Sequence, residues 1–224
     1  MRKIFLLLIL FSLFFNNQVN ANEFALHAKS AYLMEVSTGK VLFEKNAEEK
    51  LFPASMTKMM SLILVYEALN SNQIKEEEVL TISENAASMG GSQIFLQPNE
   101  QMSISDLLKS ICIASANDAM VAMAEHISGS VSEFVKEMNK KAKEYQLVNT
   151  NFENTTGLHD ENHYSCAKDM AIIAQKLIEI GGNHLLEITS TYDAYIRENT
   201  ENPFWLVNTN KLVKHVDGID GLKT

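Results

Sequence analysis

Residues 53–69 read PASMTKMMSLILVYEAL, and this stretch predicts a buried helix with a serine near its start. The apolar residues recur every three or four positions, at Met59, Leu62, Ile63, Tyr66 and Leu69. Pro53 suits the first turn of a helix, and Ser55 follows two residues later. Lys58 lies three residues after Ser55, so a helix brings the two side chains to one face, one turn apart.

A serine at a helix start and a lysine one turn later can act as a nucleophile and its base. The free N–H groups and the positive end of the helix favour negative charge on the Ser55 oxygen. A lysine that leads into a buried helix can lose its proton through desolvation, so Lys58 can accept the serine proton. The spacing alone is weakly specific, because it occurs three times, at Ser55/Lys58, Ser37/Lys40 and Ser165/Lys168. A helix cap followed by a surface lysine is therefore the alternative interpretation of Ser55 and Lys58.

Two further polar elements follow this pair along the chain. Ser115 and Asn117 occupy a short connection between two apolar helices, where they predict a cap of the second helix, the wall of a cleft, or both. In the last case Asn117 or Asp118 would be the cap, and Ser115 would point into the cleft. Lys223 and Thr224 follow a short extended run. Each element is weak evidence by itself, and their order along the chain is what makes them informative.

The remaining sequence predicts one α/β domain over residues 22–224, with a helical middle and strands from both ends. A hairpin is predicted from residues 31–35 and 41–44. Helices are predicted after the N-cap residues Ser103, Ser130 and Ser165, the last ending at Gly181-Gly182, and over residues 118–127. Residues 206–224 predict short extended runs separated by turns.

Residues 1–21 are typical of a secretory signal peptide. Arg2 and Lys3 precede an apolar run over residues 4–15, and a cleavage site is predicted after Ala21. The apolar run is too short to span a bilayer comfortably, so an uncleaved anchor is the less favoured alternative. We therefore expect an exported protein that acts outside the cytoplasm, in the cell envelope.

Composition and charge exclude several classes of function. The 224 residues are 46% hydrophobic and 21% charged, which is ordinary for a globular protein and excludes a disordered or collagen-like chain. The formal charge is −9, and it becomes −11 without the signal peptide, which holds two cations and no acid. So acidic a chain is a poor nucleic-acid binder, because phosphate contacts need lysine and arginine.

The cysteines and histidines predict neither a disulfide scaffold nor a metal site. Cys112 and Cys166 are the two cysteines, and both lie in apolar helical patterns that predict buried free thiols. The six histidines are scattered without the spacing of metal ligands. We therefore expect no metal cluster of cysteines and histidines.

The ordered motifs resemble those of the D-alanyl-D-alanine carboxypeptidases, the low-molecular-mass penicillin-binding proteins of the serine peptidase S11 family. Penicillin-binding proteins and class A β-lactamases share the set S-x-x-K, S-x-N and K-T-G. The resemblance covers nearly all of the mature chain and is nearest to the sporulation-associated branch of Gram-positive bacteria. It is carried by AYLME (31–35), TGKVL (38–42), PASMTK (53–58), MGGS (89–92), IASANDA (113–119), TGL (156–158), HYS (163–165), NTNKL (208–212) and DGLKT (220–224).

This resemblance implies a fold, a substrate and an inhibitor. The fold would be a mixed α/β (α+β) structure of the β-lactamase/transpeptidase type, with an antiparallel sheet flanked by helices and a helical subdomain. The substrate would be the peptidoglycan stem peptide that ends in D-Ala-D-Ala, and β-lactam antibiotics would be inhibitors. No metal ion and no organic cofactor would be required. Membrane association would need the C-terminal anchor of the relatives, which this sequence does not include.

The resemblance also implies a role for each candidate residue. Ser55 would be the nucleophile, acylated by the penultimate D-Ala carbonyl, and Lys58 would be its base. Ser115 would relay a proton to the leaving amine. Asn117 would hold the substrate amide, and Lys223 would attract the terminal carboxylate. The last candidate is Thr224, whose hydroxyl would add a contact to that carboxylate.

The sequence departs from the family pattern at its last residue. The third family motif ends in glycine, whereas this sequence stops at Thr224. We therefore expect a partial or truncated chain, which lacks the two further strands and the C-terminal helix that complete the sheet in relatives. The rest of the strand interrupted at Thr224 should supply the second backbone N–H group of the oxyanion hole. The activity of the chain as written therefore depends on that absent N–H group.

Two other functions share the same motifs. A class A-like β-lactamase would need a glutamate in a Glu-x-x-Leu-Asn loop after Ser115, and the sequence contains no such loop. The nearest string, EALN at 67–70, has the wrong spacing and precedes Ser115. A non-catalytic penicillin-binding module is the other alternative, because the chain ends before the glycine of the third motif.

Overall fold

The computed structural model describes residues 27–198 and 200–223. The predicted signal peptide and Thr224 lie outside the described residues. Six strands form in this part of the chain: β1 (Ala31–Met34), β2 (Val41–Lys45), β3 (Val79–Thr81), β4 (Gln101–Ser103), β5 (Asp193–Ile196) and β6 (Phe204–Val207). The helices are α1 (Lys58–Asn70), α2 (Glu84–Ala87), α3 (Ile104–Ala114), α4 (Asn117–Ser128), α5 (Val131–Glu144), α6 (Ala167–Thr189) and α7 (Leu212–His215), and a 3-10 turn (Ala54–Thr57) precedes α1.

The strands pair as three antiparallel ribbons, β1–β2, β3–β4 and β5–β6. The hairpin predicted near the N-terminus is confirmed, with Ala31 opposite Lys45 in its register. The β5–β6 ribbon was not predicted from the sequence, and it buries Ile196 and Leu206 against the helices. The architecture is therefore mixed α/β with antiparallel strands, as expected, and its strands are distributed over three ribbons within the described ranges.

Helix α1 lies at the centre of the helical body, which confirms the buried helix predicted over residues 53–69. It packs against α4, α5 and α6. Met60, Leu62, Ile63 and Val65 are all fully buried, and together they cover every face of the helix. A helix that is apolar all round is stable only inside a core. The start of α1 is therefore fixed relative to three other helices.

Two of the three predicted N-caps are confirmed. The hydroxyls of Ser103 and Ser130 accept hydrogen bonds from the backbone N–H three residues on, at 3.1 and 3.2 Å. Helix α4 ends at Gly129, which adopts the left-handed conformation expected of a C-terminal glycine. The predicted helix end at Gly181-Gly182 is confirmed as a break: Gly182 leaves the helical conformation with φ 54° and ψ −148°, and a second helical segment continues from there to Thr189.

The predicted cap at Ser165 is wrong, because Cys166 caps α6 instead. The Cys166 sulfur accepts the backbone N–H of Asp169 at 3.5 Å. Ser165 is held one residue before the helix by a β-bridge, in which its N–H and carbonyl pair with Leu51 at 2.9 and 2.8 Å. Its hydroxyl lies 2.7 Å from the Thr150 hydroxyl. A long-range pairing thus overrides the local capping preference.

None of the helices in the part of the chain that the structure describes combines the length and apolar character that a membrane span requires.

Candidate active site

Ser55 lies in the 3-10 turn that leads into α1. Ala54, directly before it, has a φ of +47°. This left-handed conformation costs a residue with a Cβ atom about 1–2 kcal/mol, so it persists only where the surrounding structure holds it. The Ser55 side chain is half-buried. The turn therefore depends on its surroundings to hold Ser55 in place.

Gly157 supports this turn from a distant part of the chain. Its φ is +86°, and an added Cβ atom would lie 1.8 Å from the Ala54 carbonyl oxygen and 2.9 Å from Thr57 Oγ1. The side chain of Asn154 shapes the supporting segment, because its Oδ1 accepts the N–H groups of Thr156 and Gly157 at 3.1 and 2.7 Å. Only glycine permits so close an approach of the two backbones.

Replacing Gly157 by alanine is expected to lower the free energy of unfolding by roughly 2–4 kcal/mol, because the new methyl group would overlap the Ala54 carbonyl. The matched control is Gly129→Ala, which has a similar φ of +77° and no atom within 4 Å of the added Cβ. In the control, the free energy of unfolding should fall only by the cost of placing alanine in the left-handed conformation, about 1 kcal/mol. Urea denaturation measures both variants, and equal losses would contradict the proposed contact.

Lys58, the first residue of α1, is fully buried. Its Nζ donates a hydrogen bond to the Thr156 carbonyl at 3.0 Å. Burial, as the main influence, and the nearby cation of Lys223 together lower the pKa of Lys58 to about 7, although the carboxylate of Asp118 acts in the opposite direction. A large fraction of this amine is therefore neutral near pH 7, and a neutral amine can accept a proton.

The alternative interpretation of Ser55 and Lys58, a cap and a surface lysine, is wrong. The residues at the cap positions of the 3-10 turn and of α1 are Pro53 and Thr57, and no side chain caps either element. The lysine is buried rather than exposed. The pair thus has no capping function, and its burial fits a chemical one.

Ser115 and Asn117 form the corner between α3 and α4. Ser115 has a left-handed φ of +61°, and its buried hydroxyl oxygen has no hydrogen-bond partner among the described residues. Asn117 Nδ2 donates to the Gly90 carbonyl at 2.7 Å, and its backbone N–H donates to the Ser92 carbonyl at 2.7 Å. Because Ala116 occupies the cap position of α4 without a side-chain bond, the capping interpretation of this corner is also wrong.

A chain of contacts brings the Ser55 turn and the Asn117 corner together. A Cβ atom added to Gly91 would lie 2.7 Å from Asn117 Nδ2 and 3.9 Å from Leu158. Leu158 directly follows Gly157, which contacts the Ser55 turn. The two candidate elements therefore lie on either side of one small segment, although about 60 residues separate them in sequence.

Asp118 is a buried residue of the site that the sequence indicated only as a possible helix cap. Its carboxylate accepts the backbone N–H groups of Ile94, Leu96 and Ala119 at 3.0, 3.1 and 2.9 Å. The bonds from Ile94 and Leu96 hold residues 94–96 against the start of α4. An acid among the alanines and methionines of an apolar helix was the signal that could have identified it.

Lys223 reaches the same region from the end of the chain. Burial lowers its pKa to about 8, and its charge acts on Lys58. The run before it is attached to the end of α6, because the Thr189 hydroxyl donates to the Asp220 carbonyl at 2.7 Å. Lys58 and Lys223 are therefore brought together, whereas Thr224, the last candidate, lies outside the described residues.

The two thiols have no assigned role in this site, although Cys112 lies close enough to Lys223 to oppose the lowering of the Lys223 pKa by burial. Cys112 and Cys166 are buried and free, which confirms the prediction for both thiols. Within residues 27–198 and 200–223, no group of three His, Cys, Asp or Glu side chains is arranged to hold a metal ion.

Comparison with known proteins places these features in a family context. The family model for D-alanyl-D-alanine carboxypeptidases, peptidase family S11, matches residues 16–224. D-alanyl-D-alanine carboxypeptidase DacF of Bacillus subtilis is 57% identical over 203 residues, which are 91% of this chain and 52% of that relative. DacA of Escherichia coli is 36% identical over 205 residues, 88% of this chain and 49% of the relative. The chain thus spans about half the length of the curated relatives it matches.

A solved structure of penicillin binding protein 5 from Haemophilus influenzae superposes with a TM-score of 0.81 and 37% identity. It matches 88% of this chain, over 57% of its own length. Penicillin-Binding Protein D2 from Listeria monocytogenes, solved in an ampicillin-bound form, gives a TM-score of 0.76 and 30% identity over 88% of this chain and 78% of its own. Both share the arrangement of helices and strands described above.

Proposed function

Because the chain belongs to the D-alanyl-D-alanine carboxypeptidase family, peptidase family S11, we propose that it is a serine-type D-Ala-D-Ala carboxypeptidase. The substrate is the peptidoglycan stem peptide ending in D-Ala-D-Ala, and β-lactams acylate the same serine. One observation carries the proposal: Lys58 is fully buried, its pKa is lowered to about 7, and it stands one turn after Ser55. No metal or cofactor takes part.

Acylation begins when Ser55 Oγ attacks the carbonyl carbon of the penultimate D-alanine while neutral Lys58 takes the hydroxyl proton. The backbone N–H of Ser55 donates to the developing oxyanion. The peptide C–N bond then breaks, and Ser115 relays the proton held by Lys58 to the amine of the departing terminal D-alanine, which leaves Lys58 neutral again. Water hydrolyses the ester and restores the Ser55 hydroxyl. The unpartnered hydroxyl of Ser115 supports the relay, because a group that passes protons must be open to new partners.

Substrate binding uses the opposite side of the site. Asn117 holds the substrate amide, and its hydrogen bond to the Gly90 carbonyl fixes the plane of its side chain. Lys223 binds the terminal carboxylate, with Thr224 as a second contact. We propose that the enzyme is exported, with cleavage after Ala21, because peptidoglycan lies outside the cytoplasm.

We expect kcat/KM for D-alanine release to follow a bell-shaped pH profile. Activity should rise as pH passes about 7, because attack requires neutral Lys58, and fall above about 8, because carboxylate binding requires charged Lys223. Lys223→Gln should remove the alkaline fall and move the rise to higher pH, since the Lys223 cation lowers the pKa of Lys58. An unchanged rise in Lys223→Gln would contradict the coupling of the two lysines.

Two substrates test the proposed function on the 224-residue chain. A labelled penicillin should form a stable adduct on Ser55, and a peptide ending in D-Ala-D-Ala should release D-alanine. Rapid turnover of the penicillin would instead indicate a β-lactamase. No adduct and no release would indicate a non-catalytic penicillin-binding module.

A further inference from the structure

His163 lies behind the Ser55 turn, and the reaction above gives it no role. Its ring is buried, and Nε2 is 2.7 Å from Thr57 Oγ1. The backbone N–H of Glu153 donates to Nδ1 at 3.1 Å. A backbone N–H cannot accept a hydrogen bond, so Nδ1 is unprotonated in the neutral ring and Nε2 carries the hydrogen. His163 therefore donates to Thr57 in a single defined tautomer.

The two contacts of His163 connect the segment that holds the base with the turn that carries the nucleophile. On one side, Glu153 begins the segment whose Thr156 carbonyl accepts a hydrogen bond from Lys58. On the other side, Thr57 ends the 3-10 turn that contains Ser55. The imidazole bridges these elements across 106 residues of sequence.

We propose that His163 is a positioning residue, whose neutral ring aligns Ser55 with Lys58 through Thr57. This inference rests on the proposed function, since the two aligned groups are its nucleophile and its base. Protonation would place a second donor on Nδ1, facing the N–H of Glu153. Two donors cannot remain 3.1 Å apart without an acceptor, so the segment would shift and carry the Thr156 carbonyl with it. Acid would then disturb the site separately from protonation of Lys58.

The surroundings keep His163 neutral in the working range. Burial lowers the pKa of His163 below its ordinary value of 6.5 and is the main influence. The carboxylates of Asp160 and Glu153 act in the opposite direction. The ring of Phe152 packs edge-on against the imidazole, with centroids 5.6 Å apart, and covers it without adding charge. Protonation thus requires more acid than a free histidine needs.

Two pairs of variants test the positioning role through the rate constant for acylation by a labelled penicillin. His163→Asn can still accept from Glu153 but is too short to reach Thr57, whereas His163→Gln can still reach Thr57 and does not titrate. Thr57→Val removes the hydroxyl, and Thr57→Ser keeps it. We expect His163→Asn and Thr57→Val to slow acylation about tenfold, separately or combined, and His163→Gln and Thr57→Ser to stay within about threefold of wild type.

The pH profile separates positioning from simple structural support. Below pH 7 the wild-type rate should first fall tenfold per pH unit, because Lys58 becomes protonated. It should fall more steeply once His163 is also protonated. His163→Gln should keep the single slope throughout, because its side chain does not titrate.

Each outcome decides between the inference and the function on which it rests. A wild-type chain that forms no adduct overturns both. If wild type reacts and Thr57→Val reacts as fast, the inference alone is overturned. The inference alone is also overturned if the acylation rate of His163→Gln shows the same steeper fall at low pH as wild type. Thermal melting of each variant shows whether it is folded, and Thr57→Val, which exchanges one hydroxyl for a methyl group, decides the question if His163→Asn does not fold.

Discussion

Replacing Ser55 by alanine is expected to abolish covalent labelling by penicillin and to lower D-alanine release by at least about 10³-fold. The variant lacks the oxygen that would form the ester, and no other group in the proposed mechanism can replace it. Intact-protein mass spectrometry after incubation with penicillin measures the adduct directly.

The chain provides a matched control in a second Ser-x-x-Lys pair. Ser37→Ala removes the serine of the Ser37/Lys40 pair, which lies in the exposed turn of the first hairpin. This variant should label as fully as wild type, because it changes the same motif at a site without buried lysine. Labelling that persists in Ser55→Ala, or disappears in Ser37→Ala, would overturn the assignment of the nucleophile.

Replacing Lys58 by methionine is expected to slow acylation by about 10³–10⁴-fold, because the base would be removed from a site of unchanged shape. The same change should raise the free energy of unfolding at pH 7 by about 1–3 kcal/mol. The reason is that desolvation of the buried amine destabilises the folded state by more than its hydrogen bond to the Thr156 carbonyl stabilises it. The variant would thus be inactive and more stable.

The stability gain should depend on pH in a defined direction. The pKa of Lys58 falls from 10.5 to about 7 on folding, so folding opposes protonation. The gain in free energy of unfolding from Lys58→Met should therefore be largest at pH 7 and below, and should decrease as pH rises towards 10.5. Urea denaturation of both proteins from about pH 6 to about pH 9 measures this difference, with the partly exposed Lys109→Met as the control. A gain that does not vary with pH would show that packing, not charge, is its source.

The sequence could predict those parts of the site that depend on local geometry. In a helix, the three-residue spacing of Ser55 and Lys58 places both side chains on one face, one turn apart. The apolar pattern of α1 predicts that the lysine is buried in the core. The polar corner at Ser115 and Asn117 stands out because apolar helices flank it. Local spacing and the apolar pattern therefore select these four residues as candidates once the order of the motifs along the chain is added.

The parts that escaped prediction depend on contacts between distant segments. Gly157, Asp118 and His163 each contact at least one partner 22 to 106 residues away, and no local pattern reveals such pairings. The same reason explains the wrong cap at Ser165, where a bridge to Leu51 fixes the backbone in an extended form. The β5–β6 ribbon was missed because its strands are four residues each and have little periodicity.

The close approach of Gly157 to Ala54 has a consequence for the order in which the protein matures. The turn that carries Ser55 is synthesised about 100 residues before the glycine that supports it. A nascent chain that has not yet reached residue 157 holds the serine and the lysine without the support that shapes their turn. We therefore expect Ser55 to become reactive late in biosynthesis, after the downstream segment has emerged and docked.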